Sequence, residues 1–303
     1  MIKKKFNKNI FLKLLGPRTK RVNPKPTSKI FKRFKNYKIE KIKYNVEKNE
    51  RITGYLLTPF PLKKKLPLVI CHHQHASNYL SGKSEISGLK GNKNLHYGKE
   101  LAEMGFVTFV PDAISFEERN FLNKNWWGVE YYELASRIIQ GKTLLEKNLS
   151  DLSVALDFLI KKKFIDKKKI GFIGHSYGAR MAVMFPAYDK RIKASVSNCW
   201  CLNYKKSLNT KYKTRIPMEM VLPNILKFCD YSDIVSLVHP CHLFISAAKN
   251  DKWSRDAIDV YKSVKKSFFK SELKIKIWNG GHRFSKKMRL EAYKFLNNKL
   301  KGQ

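Results

Sequence analysis

Ser176 sits in Gly174-His175-Ser176-Tyr177-Gly178, a Gly-x-Ser-x-Gly spacing with an apolar run before it and small apolar residues after it. A serine hydroxyl is a poor nucleophile until a base removes its proton and an acid orients that base. A sharp strand-to-helix turn holds such a hydroxyl clear of the sheet. The residues two before and two after it then pass so close to neighbouring backbone that only glycine fits. The helix that follows aims free N–H groups and the positive end of its dipole at the reacting centre, favouring a developing oxyanion. The spelling points to nucleophilic acyl transfer.

Three histidines follow the elbow: His239, His242 and His282. His282 comes after Gly280-Gly281, directly beyond a strand predicted over 273–278, where glycines let a loop fold over the serine. His239 and His242 flank Pro240 at the start of a strand predicted over 241–247, the opposite end from the site. Asp251 lies just past the carboxyl end of that strand, whereas Asp256 and Asp259 fall on a predicted helix and Asp230 and Asp233 precede the strand. Ser176, Asp251 and His282 are therefore the expected nucleophile, acid and base. The oxyanion hole needs two N–H groups, expected from Tyr177 and from Gln74 or His75 in the loop after a strand over 66–71. Asp112, Glu117, Trp126 and Trp127 are expected to line or cover the pocket. His72, His73 and His75 have no partnered carboxylate nearby in sequence and fit no common zinc spacing, so no metal is expected.

The elements that must carry these residues alternate. Strands are predicted over 37–47, 51–58, 66–71, 106–110, 170–173, 192–197, 241–247 and 273–278. Helices are predicted over 94–104, 129–140, 143–162, 218–228, 254–267 and 284–300, besides the helix of the elbow. The segment over 143–162 shows an amphipathic leucine face. This alternation predicts an α/β fold with a mostly parallel, doubly wound sheet and helices on both faces, in which ligands bind beyond the carboxyl ends of the strands.

The chain has 303 residues, enough for one large domain, and its 43% hydrophobic content fits a packed core. Its 62 Lys and Arg against 24 Asp and Glu give a net charge of +38. That balance invites a nucleic-acid or anionic-membrane reading. The basic residues are mostly lysine, however, spread along the whole chain in triplets at loop and helix ends. Arginine, the usual residue for bidentate base and phosphate contacts, is scarce, so no nucleic-acid partner is expected. Five cysteines without scaffold spacing predict free thiols and a cytoplasmic compartment. No apolar run is long enough to cross a membrane. Residues 1–36 carry no acid and three prolines. They are expected to form a poorly ordered basic arm, with organelle targeting or membrane-surface attachment as the alternative, ahead of a catalytic domain over 37–303.

The chain resembles the α/β-hydrolase superfamily, in its dienelactone-hydrolase and acetyl-xylan-esterase-like branch. The resemblance rests on the HHQHAS loop, GKSEISGLKG, VPDAISFEER, GHSYG, the Asp after a late strand and GGH, over roughly residues 37–300. It implies a serine hydrolase that cleaves small acyl esters without metal or organic cofactor. Relatives usually carry His-Gly in the oxyanion loop where this chain has His73-Gln74. Dienelactone hydrolases proper use a cysteine nucleophile, so Ser176 points to the esterase-like members. The rival expectation is a catalytically silent hydrolase-fold protein that binds an anionic partner through its basic surface.

Overall fold

The computed structural model describes residues 6–209 and 214–302. Its nine strands are β1 (Thr27–Arg33), β2 (Tyr37–Glu47), β3 (Glu50–Pro59), β4 (Leu66–His72), β5 (Val107–Pro111), β6 (Ile165–His175), β7 (Ala194–Asn198), β8 (His242–Ala248) and β9 (Leu273–Trp278). They form one sheet in the order β1-β2-β3-β5-β4-β6-β7-β8-β9. β1 to β3 pair antiparallel, β3 meets β5 antiparallel, and β5 through β9 run parallel. The helices are α1 (Lys8–Leu14), α2 (Lys83–Ile86), α3 (Tyr97–Glu103), α4 (Gly128–Ile139), α5 (Leu144–Leu159), α6 (Tyr177–Tyr188), α7 (Tyr204–Ser207), α8 (Tyr231–Ser236), α9 (Ala257–Val264) and α10 (Lys286–Lys301).

The central strands read as short apolar runs because helices cover both of their faces. Phe172 on β6 belongs to one core with α5 and α6, and Ile173 to a second core with α10 on the opposite face. β4 has β5 on one side and β6 on the other, so the chain reverses its direction of winding there. The loops leaving β4 and β6 diverge at that point and open a crevice at the carboxyl edge.

The N-terminal segment departs from the expected disordered arm. Phe11, Leu14 and Leu15 of α1 and its cap are buried in the main core, and the Thr143 hydroxyl donates to the Leu15 carbonyl at 2.7 Å. Thr19 donates twice to Glu146. The spacing 11-14-15 is that of one helical face, a signal overridden by the flanking prolines and lysines. β1 is an edge strand exposed along its whole length, so no burial imposes an alternating pattern on it. Its Lys29, Lys32 and Arg33 put charge along an otherwise open edge. The helix predicted over 218–228 is also corrected. Two short 3₁₀ turns, Met218–Met220 and Ile225–Lys227, stand there, separated by Pro223 and by Asn224 at φ 62°.

Candidate active site

β6 delivers the elbow. Ser176 has φ 57° and ψ −108°, a strained conformation for a residue with a side chain. The two glycines are there for contact. A Cβ on Gly174 would lie 2.2 Å from the Gly178 carbonyl, and one on Gly178 would lie 2.0 Å from the His72 carbonyl oxygen. Gly178→Ala is accordingly expected to destabilise the fold by on the order of 3 kcal/mol, read as a lowered urea midpoint.

β8 and the loop after β9 deliver the other two groups. His282 Nδ1 donates to Asp251 Oδ1 at 3.1 Å. The same oxygen accepts from the Trp253 N–H at 3.0 Å, and Asp251 Oδ2 accepts from the Ser254 hydroxyl at 2.6 Å. Burial would raise the Asp251 carboxyl, but the bonds from His282 and Ser254 outweigh it and hold the group below its ordinary range. The acid is therefore ionised at neutral pH and fixes the proton of His282 on Nδ1, leaving Nε2 as the acceptor. Gly280 at φ 115° turns the chain toward the serine. The loop is tied down where Asn198 Nδ2 donates to the Arg283 carbonyl at 3.1 Å. Asn198 also touches His175 Nδ1 at 2.9 Å and accepts from Ser246 Oγ at 2.7 Å.

Two cavities of about 210 and 390 Å³ meet at Ser176 and His282. His75, Arg180, Met218 and Trp253 wall the first; Gln74, Leu95, Phe284 and Lys286 wall the second. Among the described residues Ser176 Oγ has no hydrogen-bond partner, His282 included; such contacts are often long before substrate is bound. The Gln74 and His75 N–H groups are likewise unpaired among the described residues, as donors to an incoming oxyanion should be.

The Gln74 departure from His-Gly is accommodated. Its side chain is buried and donates to Glu85 rather than standing over the serine. The histidine cluster is structural in its first two members. Buried His73 accepts from the Ala113 N–H at Nε2 (3.0 Å), so its proton is on Nδ1, which donates to the Gln74 carbonyl at 2.8 Å. Burial pushes it down to about 4. His75 accepts from the Ser77 N–H at Nδ1 (3.0 Å), and its Nε2 donates to Glu130 at 2.8 Å.

Four expected pocket residues lie elsewhere. Asp112 and Glu117 turn inward onto the fully buried Lys83, at 2.5 and 3.0 Å, and line neither cavity at Ser176. The GKSEISGLKG and VPDAISFEER stretches thus meet in an ion cluster that braces the oxyanion loop from behind. Removing Lys83 leaves the buried Asp112 carboxylate facing Glu117 without the cation between them. Lys83→Ala is expected to cost about 3–5 kcal/mol, again measured as a denaturant midpoint. Trp126 and Trp127 are about half exposed and also line neither cavity. Conversely, Arg180 and Trp253 are wall residues that spacing alone did not reveal. Arg180 lies over the Trp200 ring at 4.6 Å, and Trp200 stacks on Trp253 at 5.6 Å.

Residues 83–220 match the model of the dienelactone hydrolase family. The chain has the α/β-hydrolase fold and is related to that family. This α/β-hydrolase-fold chain is 26% identical over 203 residues to "Putative hydrolase YtaP" of Bacillus subtilis (strain 168), across 67% of its own length and 66% of that relative's. The match therefore spans just under two thirds of the curated relative. Among solved structures it superposes on a "putative acetyl xylan esterase" of Bacteroides fragilis NCTC 9343 with a TM-score of 0.73 at 16% identity, covering 89% of this chain and 73% of that one. It superposes on a glucuronoyl esterase of Solibacter usitatus with a TM-score of 0.67 at 15% identity, covering 96% and 91%. At such identities these two support the fold.

Proposed function

We propose that the protein is a serine hydrolase that cleaves small carboxylic esters through Ser176, His282 and Asp251. The observation that carries this is the Asp251–His282 pair, with His282 and a strained Ser176 lining the same two cavities. Ser176 Oγ attacks the ester carbonyl as His282 Nε2 takes its proton, and Asp251 stabilises the imidazolium. The tetrahedral oxyanion accepts from the Tyr177 N–H and from that of Gln74 or His75. Collapse expels the alcohol, protonated by His282, and leaves an acyl-serine. Water, deprotonated by His282, attacks that acyl group and releases the acid.

The two cavities offer separate room for the acyl and alcohol portions. We assign no cofactor and no nucleic-acid partner. Five free, buried thiols favour the cytoplasm, and no helix among the described residues is long and apolar enough to cross a membrane. The test is labelling by a fluorophosphonate together with turnover of a panel of short-chain acyl esters. Labelling and turnover that both require Ser176 are expected. Their absence in the wild-type protein would return the chain to the silent, anion-binding reading.

A further inference from the structure

The outer face of the segment over 121–139, whose Glu130 holds the wall residue His75 from outside the first cavity, is apolar. Six of the twelve residues from 121 to 132, namely Phe121, Leu122, Trp126, Trp127, Tyr131 and Tyr132, are between 41% and 60% exposed. Five of them form two ring groups, one on each of the adjacent α4 residues Tyr132 and Tyr131: Phe121 lies against Tyr132 at 5.4 Å, and Trp127 lies against Trp126 at 6.1 Å and Tyr131 at 5.6 Å. Ile139, two turns along α4 from Tyr132, extends the stripe and is 86% exposed.

The inner side of the same segment is held by polar bonds. Asn125 Oδ1 accepts from the Tyr79 N–H at 2.8 Å, and Glu130 holds His75 on the cavity wall. So many large apolar side chains, exposed in one place, mark a contact surface rather than scattered surface hydrophobics.

The occupant follows from the rings and from charge. Trp and Tyr are the side chains that settle at a lipid headgroup boundary, with an apolar body and a polar tip. Cations lie within the stripe and at one end of it. Lys124 lies within it and Lys142 follows α4. The basic segment carrying Lys13, Arg18 and Lys20 reaches the end of α4, where Gly16 meets Gly141; a Cβ on Gly16 would lie 2.6 Å from the Gly141 carbonyl oxygen. Of the two acids on α4, Glu130 is buried and Glu133 pairs with Arg137 at 3.3 Å. A second copy of the chain would bring one +38 molecule against another, whereas an anionic bilayer is attracted by every lysine near its surface.

We propose that the 121–139 face docks on an anionic lipid bilayer, lying in the headgroup plane with the first cavity beside it. The docking does not depend on the chemistry at Ser176.

The test uses the full chain, with vesicles of phosphatidylcholine alone and of equal parts phosphatidylcholine and phosphatidylglycerol. Cosedimentation with the anionic vesicles, weakened by salt, is expected, with tryptophan fluorescence quenched by brominated lipid. The double variant Trp126→Ser/Trp127→Ser is expected to bind at least roughly tenfold more weakly and to lose the quenching. Tyr131→Ser/Tyr132→Ser should weaken binding without removing those two tryptophans. Far-UV circular dichroism and hydrolysis of a water-soluble ester should stay at wild-type levels, because these side chains are exposed and line neither cavity. Undiminished binding by both variants would overturn the proposal in favour of diffuse lysine charge. No vesicle binding would also overturn it. So would a dimer seen by light scattering, or retention on a polysaccharide matrix, that the variants abolish while vesicle binding is absent. Loss of ester turnover in the wild type would sink the serine-hydrolase reading and leave the vesicle result standing.

Discussion

Ser176→Ala is expected to abolish fluorophosphonate labelling and to lower ester turnover by roughly 10⁴–10⁶-fold, with the fold intact. The hydroxyl carries the covalent step, and nothing within its reach replaces it. Ser176→Gly should be equally inactive and also more stable than the wild type. Serine at φ 57° and ψ −108° stores strain of order 1–3 kcal/mol, and glycine adopts such angles without a Cβ clash. A melting temperature that rises in the glycine variant and not in the alanine variant would tie the strain to the backbone. If alanine retained turnover within tenfold of wild type, Ser176 would not be the nucleophile.

Asp251→Asn is expected to lower turnover by about 10⁴ with little change in KM. The carboxylate accepts from His282 Nδ1, the Trp253 N–H and the Ser254 hydroxyl at once. An amide has one acceptor oxygen for the two carboxylate positions. At Oδ1 it keeps Trp253 but is only a weak, uncharged acceptor for His282. At Oδ2 it keeps Ser254 but presents an N–H donor to His282 and admits the wrong tautomer. The pH dependence has a defined sign. The folded-state Asp251 carboxyl is held below its unfolded value. Its contribution to stability is therefore complete above the unfolded carboxylate pKa of about 3.9 and is lost as pH falls through the lower, folded one. Acid unfolding curves of wild type and Asp251→Asn should accordingly converge below about pH 4 and separate above it. Curves that stay parallel across that window would remove Asp251 from the role assigned to it.

Much of this arrangement was legible because it rests on backbone rules. The elbow needs two glycines, each central parallel strand needs an apolar run, and the groups that meet must follow strand ends. Ser176, Asp251 and His282 satisfy all three. What was not legible depends on contacts between distant segments. Lys83 reads as one lysine among many, yet it is the buried counter-charge of Asp112 and Glu117. Its partners, read without it, look like pocket residues. Arg180 and Trp253 reach the cavity only because α6 and the loop after β8 converge on Trp200. Trp126 and Trp127 read as pocket residues because large aromatics are usually well buried; here they face outward. β1 has no buried face and hence no pattern to find.

The contact of Gly178 with the carbonyl of His72 has a consequence for how the site can vary. Nucleophile turn and facing loop rest main chain on main chain, so the gap between their amide donors is independent of any side chain around it. Wall residues such as Met218, Trp253 and Leu95 can therefore be exchanged, and the preferred acid or alcohol altered, without re-tuning the anion-stabilising geometry. Selectivity and rate are separately adjustable in such a scaffold, provided both elbow glycines stay.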